Sequence, residues 1–185
     1  TVAYLAAEND YAEQWLAPHE ALVETVFEEI KSRVQETDTA VPVHKGDWWY
    51  TARTVEGLDY AIHCRGASRE TAESQVLLDE NVEAAGHDFF SLGLLEMSAD
   101  HSVAAWSSDV DGSELFTLRF RDLATGADLP DVLEGTSAWG GSAWSGDGAH
   151  FFYMMPDDQM RPFQVWRHAL GTEQSEDVLV LHEPD

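Results

Sequence analysis

Three stretches of the chain repeat one another in order and spacing, and this repeat limits the possible folds more than any other feature. In each stretch a polar turn leads into a short apolar strand, which is followed by an alternating strand and a third apolar strand. Phe116 and Phe163 are 47 residues apart, as are Ser98 and Ser145, and Tyr60 lies 56 residues before Phe116. A repeat of about 40–50 residues built from short strands is typical of β-propeller blades.

The repeat predicts a mainly β fold with a helical arm and about three four-stranded blades of an incomplete β-propeller. The predicted partial propeller covers 46–185, with blades at about 46–82, 94–134 and 138–182, and residues 83–93 are expected to cross between the first two. Three blades do not close a propeller, which typically has four to eight. Because an open array exposes strand edges and apolar faces, either the whole protein is longer or copies of this chain pair.

Residues 1–45 are predicted to form a helical arm and an extended connector. The apolar residues between 20 and 35 recur at helical spacing and make one stripe: Leu22, Val23, Val26, Phe27, Ile30 and Val34. Pro18 either ends a first helix or begins a second, and Pro42 disfavours helix in the connector. The stripe packs either on the blades of this chain or on a domain outside this chain. Because propeller blades leave little room for an added helix, packing on an outside domain is favoured. The chain begins at Thr1 inside a predicted helix, so we expect a piece of a longer protein.

The charge of the chain restricts its partners. Ten Lys and Arg against 35 Asp and Glu give a formal net charge of −25. Such a surface repels nucleic acid and anionic membranes, so neither is predicted as a partner. It either attracts cationic ligands such as basic peptides or serves only to keep the surface solvated. No apolar stretch approaches the roughly 18 residues of a membrane span, and no signal-peptide core is visible. The single cysteine, Cys64, is predicted to be buried in a strand, which fits a cytoplasmic location.

For each motif that could carry chemistry, a structural role explains the residues better than a catalytic or binding role. Gly140-Gly141-Ser142 resembles a nucleophile turn, but the second glycine of G-x-S-x-G is missing and no helix is expected to follow. Asp109-Val110-Asp111-Gly112 resembles the start of a calcium loop but lacks its further acidic ligands, so a hairpin turn is predicted. The eight histidines show no metal-ligand spacing, and no cofactor or metal is predicted. The repeated tryptophans are expected to pack the blades, and a sugar-binding platform is the alternative.

Several longer stretches together resemble one enzyme family. They are Tyr4–Asn9, Gly86–Gly93, Leu118–Gly126 and Pro162–Thr172. The chain resembles the prolyl oligopeptidase family, and within it the oligopeptidase B branch, in order and over essentially all 185 residues.

The resemblance implies a cytoplasmic serine peptidase that cuts short peptides after Arg or Lys. It implies an N-terminal arm, a seven-bladed propeller that filters substrates by size, and a C-terminal α/β-hydrolase domain that carries the Ser, Asp and His of the triad and packs on the arm. The remaining blades and the hydrolase domain are thus expected partners outside this chain, basic oligopeptides are the expected substrates, and no triad residue is predicted here.

One site residue is implied by the resemblance. In the family, an acidic residue in the segment matching Gly86–Gly93 joins a salt bridge between propeller and hydrolase domain, and Asp88 holds that position. The family's basic partner is not matched, because Gly112-Ser113-Glu114 stands near the corresponding hairpin. Asp88 is therefore either an inter-domain salt-bridge residue or a solvated loop carboxylate. For the chain as a whole, the alternative function is a stand-alone interaction module that pairs with itself or a protein partner.

The first testable prediction concerns the isolated chain. We expect that three blades without the others do not keep native packing as a monomer, because their open faces stay in water. Light scattering and thermal unfolding of the purified 185-residue chain should show self-association or a broad transition. A monodisperse species of 20.6 kDa with a sharp transition would contradict the expectation.

Overall fold

The computed structural model describes residues 1–183, so the last two residues of the predicted propeller range lie outside the described residues. The described chain divides into two compact units. The first comprises Thr1–Asp38 with Val55–Gly57, and the second comprises Thr39–Thr54 with the chain from Leu58 onward.

The N-terminal arm is helical, as the spacing of its apolar residues predicts. Helix α1 covers Val2–Leu16, a single 3₁₀ turn covers Ala17–His19, and α2 covers Glu20–Lys31. Pro18 stands at the start of the 3₁₀ turn, where its missing N–H costs no hydrogen bond, and marks the junction of the two helices. The apolar stripe of α2 is exposed: Phe27 is 54% and Ile30 60% accessible. Within residues 1–183 no helix is both long and apolar enough to cross a membrane.

Three antiparallel sheets follow one another along the chain and confirm the predicted fold class. The strands of the first sheet are β1 (Asp38–Thr39), β2 (Val43–Lys45), β3 (Trp48–Thr54), β4 (Ile62–Gly66) and β5 (Gln75–Asp79). The strands of the second are β6 (Ser91–Met97), β7 (Val103–Asp109), β8 (Phe116–Asp122) and β9 (Asp128–Thr136). The strands of the third are β10 (Ala143–Trp144), β11 (His150–Pro156), β12 (Pro162–Ala169) and β13 (Val178–His182). The second and third sheets are paired in chain order, as in propeller blades.

The structure differs from the sequence-based boundaries at two places. The predicted connector contains β1 and β2, which both pair with β3, because Pro42 interrupts a strand without removing its neighbours from the sheet. The predicted crossing at 83–93 is shorter than expected, since β6 already begins at Ser91. It is preceded by a short helix, α3 (Glu80–Glu83), whose N-cap Asp79 accepts a hydrogen bond from the backbone N–H of Asn81.

The seam between the second and third sheets contains the larger buried cluster. Its members come from both sheets: Ala105, Leu118, Phe120, Leu133, Phe151 and Tyr153. The rings of Phe120 and Phe151 meet edge to face at 5.5 Å, and Trp144 packs edge-on against both. This geometry is the preferred one for aromatic pairs, so the repeated aromatic residues hold the two sheets together.

A smaller cluster joins the first and second sheets. Leu77 of β5 packs with Ala104 of β7 and with Leu123, which follows β8. Two hydrogen bonds cross the same seam: Arg65 donates to the carbonyl of His101, and Gln75 donates to the carbonyl of Leu123. The first two sheets are therefore joined by polar as well as apolar contacts.

The turn before the second strand of a blade has the same design in two sheets. Ser98 donates to a carboxylate oxygen of Asp100 at 2.7 Å, and Ser145 donates to Asp147 at 2.6 Å. The backbone N–H of Ser102 also donates to Asp100. These hydrogen bonds favour the ionised carboxylate, so the pKa of Asp100 is lowered to about 2 and that of Asp147 is also lowered.

The second testable prediction follows from Asp100. Because the folded-state pKa is lower than the unfolded one, the carboxylate stabilises the fold above about pH 4, and this contribution is lost as pH falls toward 2. In the full-length protein, Asp100→Asn should lower the melting temperature at pH 6 and flatten its dependence on pH between 4 and 2. The control is Asp158→Asn at an exposed position, which should leave the pH profile unchanged; equal profiles for both variants would contradict the prediction.

Candidate functional site

The segment between the first and second sheets carries the only site residue that the sequence implied. Asp88 is exposed on the loop at 84–90 and makes no hydrogen bond or ion pair with residues 1–183. Phe90, two residues on, is buried and meets Tyr60 edge to face at 5.4 Å, which fixes the end of the loop against the first sheet. Asp88 is thus a free carboxylate on an anchored loop, available to a group outside the described chain.

Gly93 lets the start of β6 lie close to the neighbouring strands of its sheet, because glycine has no side chain. A Cβ atom on Gly93 would lie 2.5 Å from the Ser107 hydroxyl and 2.5 Å from the ring of Phe116. Any side chain would force these neighbours apart. The pairing of β6 with β7 shifts by one residue at this glycine, so Gly93 forms a β-bulge at the end of the crossing.

A polar patch of β7 and β8 lies under this loop. Trp106 pairs directly with Arg119, and Ser108 with Thr117, so the four side chains share one sheet face. The Arg119 guanidinium lies 5.4 Å from the centre of the Trp106 ring. Together with His87 and Phe90 of the loop, these residues line a cavity of about 180 Å³. Sequence reasoning missed the patch because it considered Trp106 only together with the other tryptophans, for blade packing or a sugar platform.

Arg121 links three elements at the edge of this patch. It donates to Glu83 of α3 at 3.0 Å and to both carboxylate oxygens of Asp128 in β9. Burial acts to lower the pKa of Arg121, but the hydrogen bonds to Asp128 and Glu83 outweigh it, and the pKa is raised. The two carboxylates that line the cavity, Glu83 and Asp128, therefore share the single positive charge of Arg121.

His168 occupies the place equivalent to that of Arg121, at the seam between the second and third sheets. It is fully buried, with one ring nitrogen 2.7 Å from Asp177 and the other 3.0 Å from Asp131. Tyr153 donates its hydroxyl to Asp177 at 2.8 Å, and burial followed by that carboxylate raises the pKa of the phenol. Asp131 belongs to the second sheet and His168 to the third, so this network joins the two sheets.

The three basic residues occupy the same position of the repeat. Arg65, Arg121 and His168 are separated by 56 and 47 residues, the offsets found in the sequence. Each contacts the outer part of its own sheet and a neighbouring element of the chain. This network is the main structural feature that sequence reasoning missed, and the repeat itself, read for polar as well as apolar positions, could have found it.

The nucleophile-like serine has a structural role. Ser142 donates its hydroxyl to Glu96 at 2.6 Å, which ties the entry of the third sheet to β6. The residues after it form β10 rather than a helix, so the strand–turn–helix arrangement of a nucleophile elbow is absent from this turn.

The calcium-like motif is a hairpin turn, as expected. Asp109 is buried and accepts hydrogen bonds from the backbone N–H groups of Asp111, Gly112 and Glu114. Gly112 takes a positive φ of 78°, which the turn between β7 and β8 requires. Among residues 1–183 no group of three or more His, Cys, Asp or Glu is arranged to hold a metal ion.

Most of the tryptophans in the sheets are engaged in packing, which argues against a sugar platform. Trp106 is buried, Trp144 donates its indole N–H to the carbonyl of Glu96, and the guanidinium of Arg65 lies 3.9 Å from the centre of the Trp48 ring. Among the tryptophans described outside the N-terminal arm, Trp139 is the exposed one, at 59%. A single exposed indole does not form a stacking surface.

An apolar groove of about 380 Å³ lies between the first sheet and β6. Cys64 lines it but is only 1% accessible, as the sequence predicted, and burial raises the pKa of its thiol. A thiol with a raised pKa is a weak nucleophile, so the groove offers binding surface rather than reactive chemistry.

Comparison with known proteins decides the family. The model of the family described as "Prolyl oligopeptidase, N-terminal beta-propeller domain" matches residues 1–185. The chain belongs to the prolyl oligopeptidase family. It is 36% identical to dipeptidyl aminopeptidase BI of Pseudoxanthomonas mexicana and 33% identical to protease 2 of Moraxella lacunata, each over the whole chain. The resemblance found in the sequence is thereby confirmed.

Solved structures of this prolyl oligopeptidase family agree with the fold. The chain superposes over its whole length on oligopeptidase B from Leishmania major with a TM-score of 0.88 and 29% identity. For oligopeptidase B from Trypanosoma brucei the TM-score is 0.86 and the identity 33%. The chain covers 26% of each of these structures and 27% of each of the two bacterial relatives, so it spans about a quarter of their length.

The third testable prediction concerns the buried histidine. His168→Ala should lower the free energy of unfolding by at least about 3 kcal/mol, because it leaves Asp131 and Asp177 buried without their shared partner. Urea denaturation of the full-length protein, followed by tryptophan fluorescence, measures this loss. His87→Ala, at an exposed position of the crossing loop, is the control and should cost little. Equal losses in the two variants would contradict a role for the network.

Proposed function

We propose that this chain is the arm and first blades of a cytoplasmic serine peptidase of the oligopeptidase B type, which hydrolyses short peptides after Arg or Lys. The observation that carries the proposal is the match of the whole chain to the first quarter of oligopeptidase B structures at TM-scores of 0.86 and 0.88. The Trypanosoma brucei structure contains covalently bound antipain. In the proposed enzyme a Ser outside this chain attacks the scissile carbonyl, a His transfers the proton, and an Asp orients that His.

The net charge of −25 supports basic peptides as substrates. A strongly negative surface raises the local concentration of cations and accelerates their encounter with the protein. The proposed role of the propeller is to filter peptides by size before they reach the catalytic groups. For two prolyl endopeptidases, one of whose structures is 25% identical to this chain with a TM-score of 0.69, inter-domain dynamics have a role in catalysis and specificity.

Asp88 is the proposed contact of this part of the chain with the hydrolase domain. Its support is the exposed, unpaired carboxylate on a loop held by Phe90. A salt bridge across a gap between domains would favour the closed arrangement and help to order the substrate site. The other interpretation, a solvated loop carboxylate, predicts no effect of its removal on catalysis.

The first experiment is the intact mass of the polypeptide made from the native gene, followed by an assay. A chain several times heavier than 20.6 kDa is expected, with activity on a blocked fluorogenic peptide ending in Arg and none on the same peptide ending in Glu. A substrate with a free N-terminal dipeptide separates this activity from that of a dipeptidyl aminopeptidase. A native product of 20.6 kDa would contradict the peptidase and leave the interaction module.

The fourth testable prediction separates the two interpretations of Asp88. In the full-length enzyme Asp88→Asn should lower kcat/KM for the Arg peptide by roughly two- to fivefold, the size expected for one partly exposed salt bridge. The effect should shrink at high salt. Asp158→Asn is the control for loss of one exposed carboxylate, and identical kinetics of the two variants would show that Asp88 is only solvated.

A further inference from the structure

The cavity under the crossing loop holds an arginine that the chain itself does not neutralise. Arg119 makes one long hydrogen bond of 3.4 Å to the backbone carbonyl of Thr117 and no ion pair with residues 1–183. A guanidinium has five N–H donors, and in a chain with 35 acidic residues an unpaired, half-buried one is unusual. Glu83 and Asp128 also line this cavity, and both are bonded to Arg121.

Two hydroxyl groups in the same cavity also lack partners. Ser108 is 5% accessible and Thr117 half-buried, and neither side chain makes a hydrogen bond with residues 1–183. The two residues are direct partners across β7 and β8, and the Arg119 guanidinium reaches back to the carbonyl of Thr117. Two hydroxyls and a cation therefore line one small space, together with His87.

We propose that this cavity binds a single carboxylate, presented by the C-terminus of a short peptide. The proposal rests on the proposed peptidase function, because peptide cleavage produces new C-terminal carboxylates. Arg119 would pair with the carboxylate, and the hydroxyls of Ser108 and Thr117 would donate to its oxygens. Phe90, Trp106 and Val110 supply apolar lining for the side chain next to the carboxylate. About 180 Å³ suffices for one terminal group, and the net charge of −25 disfavours polyanions such as phosphates.

The test uses the full-length protein with its reactive serine blocked by a phosphonylating reagent. Calorimetry compares acetyl-Ala-Ala with its C-terminal amide, a pair that differs in the carboxylate and offers no Arg or Lys for cleavage. The acid should bind at least about tenfold more tightly than the amide, the gain expected of charge-assisted hydrogen bonds. Arg119→Gln should abolish this preference, and Ser108→Ala should reduce it several-fold.

The control variant is Arg69→Gln, which removes one exposed positive charge from the first sheet and should keep the preference. Equal affinity of acid and amide, or an unchanged preference in Arg119→Gln, would overturn the proposal. Binding of neither probe, together with a lower melting temperature of Arg119→Gln, would show that an acidic side chain from elsewhere in the protein fills the cavity, which also overturns it. The peptidase function is tested separately: if it is wrong, protein with an unblocked serine will not cleave the Arg peptide.

Discussion

A basic side chain at the end of the third strand of each blade is the interaction on which the arrangement of the sheets depends. Arg65, Arg121 and His168 each bond to the outer part of their own sheet and to a neighbouring element. Apolar packing between sheets has little directional preference and would tolerate sliding or rotation. Hydrogen bonds of a half-buried or buried basic side chain are directional, so they set the register in which the apolar faces meet.

The large negative charge follows in part from the way the hairpins are made. Asp100, Asp109, Asp122, Asp147 and Asp157 each accept backbone N–H groups of a turn. A short aspartate side chain satisfies turn donors that no strand partner can reach, so a fold with many hairpins uses many aspartates. These carboxylates have a local structural role, whatever the remaining acidic surface does for substrates.

Membership of this family explains why two apolar surfaces of the chain are exposed. The stripe of α2 and the outer strand β13, where Val178–Leu181 are 42–57% accessible, are surfaces that a protein of this kind normally covers. The relatives are about four times longer than this chain, so they have the material to cover both. The two seams between the three sheets, by contrast, are already formed by residues of this chain.

The sequence by itself determined the architecture. Its repeat of 47 and 56 residues, the alternation around Phe116 and Phe163, and the turn residues predicted helices, blades and the family, because periodicity and turn chemistry are local properties. It placed Asp88 on a loop and Ser142 in a blade entry, but it did not find β1 and β2, since two- and three-residue strands carry too little pattern.

Only the tertiary structure decided which polar groups meet. Asp131 and His168 are 37 residues apart, and Arg121 lies 38 residues from Glu83; no spacing rule joins such pairs. Whether Arg119 is paired or free depends on Arg121 having already taken the nearby carboxylates. The physical reason is that pairing of charges depends on distances set by the packing of whole sheets, whereas strand and turn formation depends on neighbours along the chain.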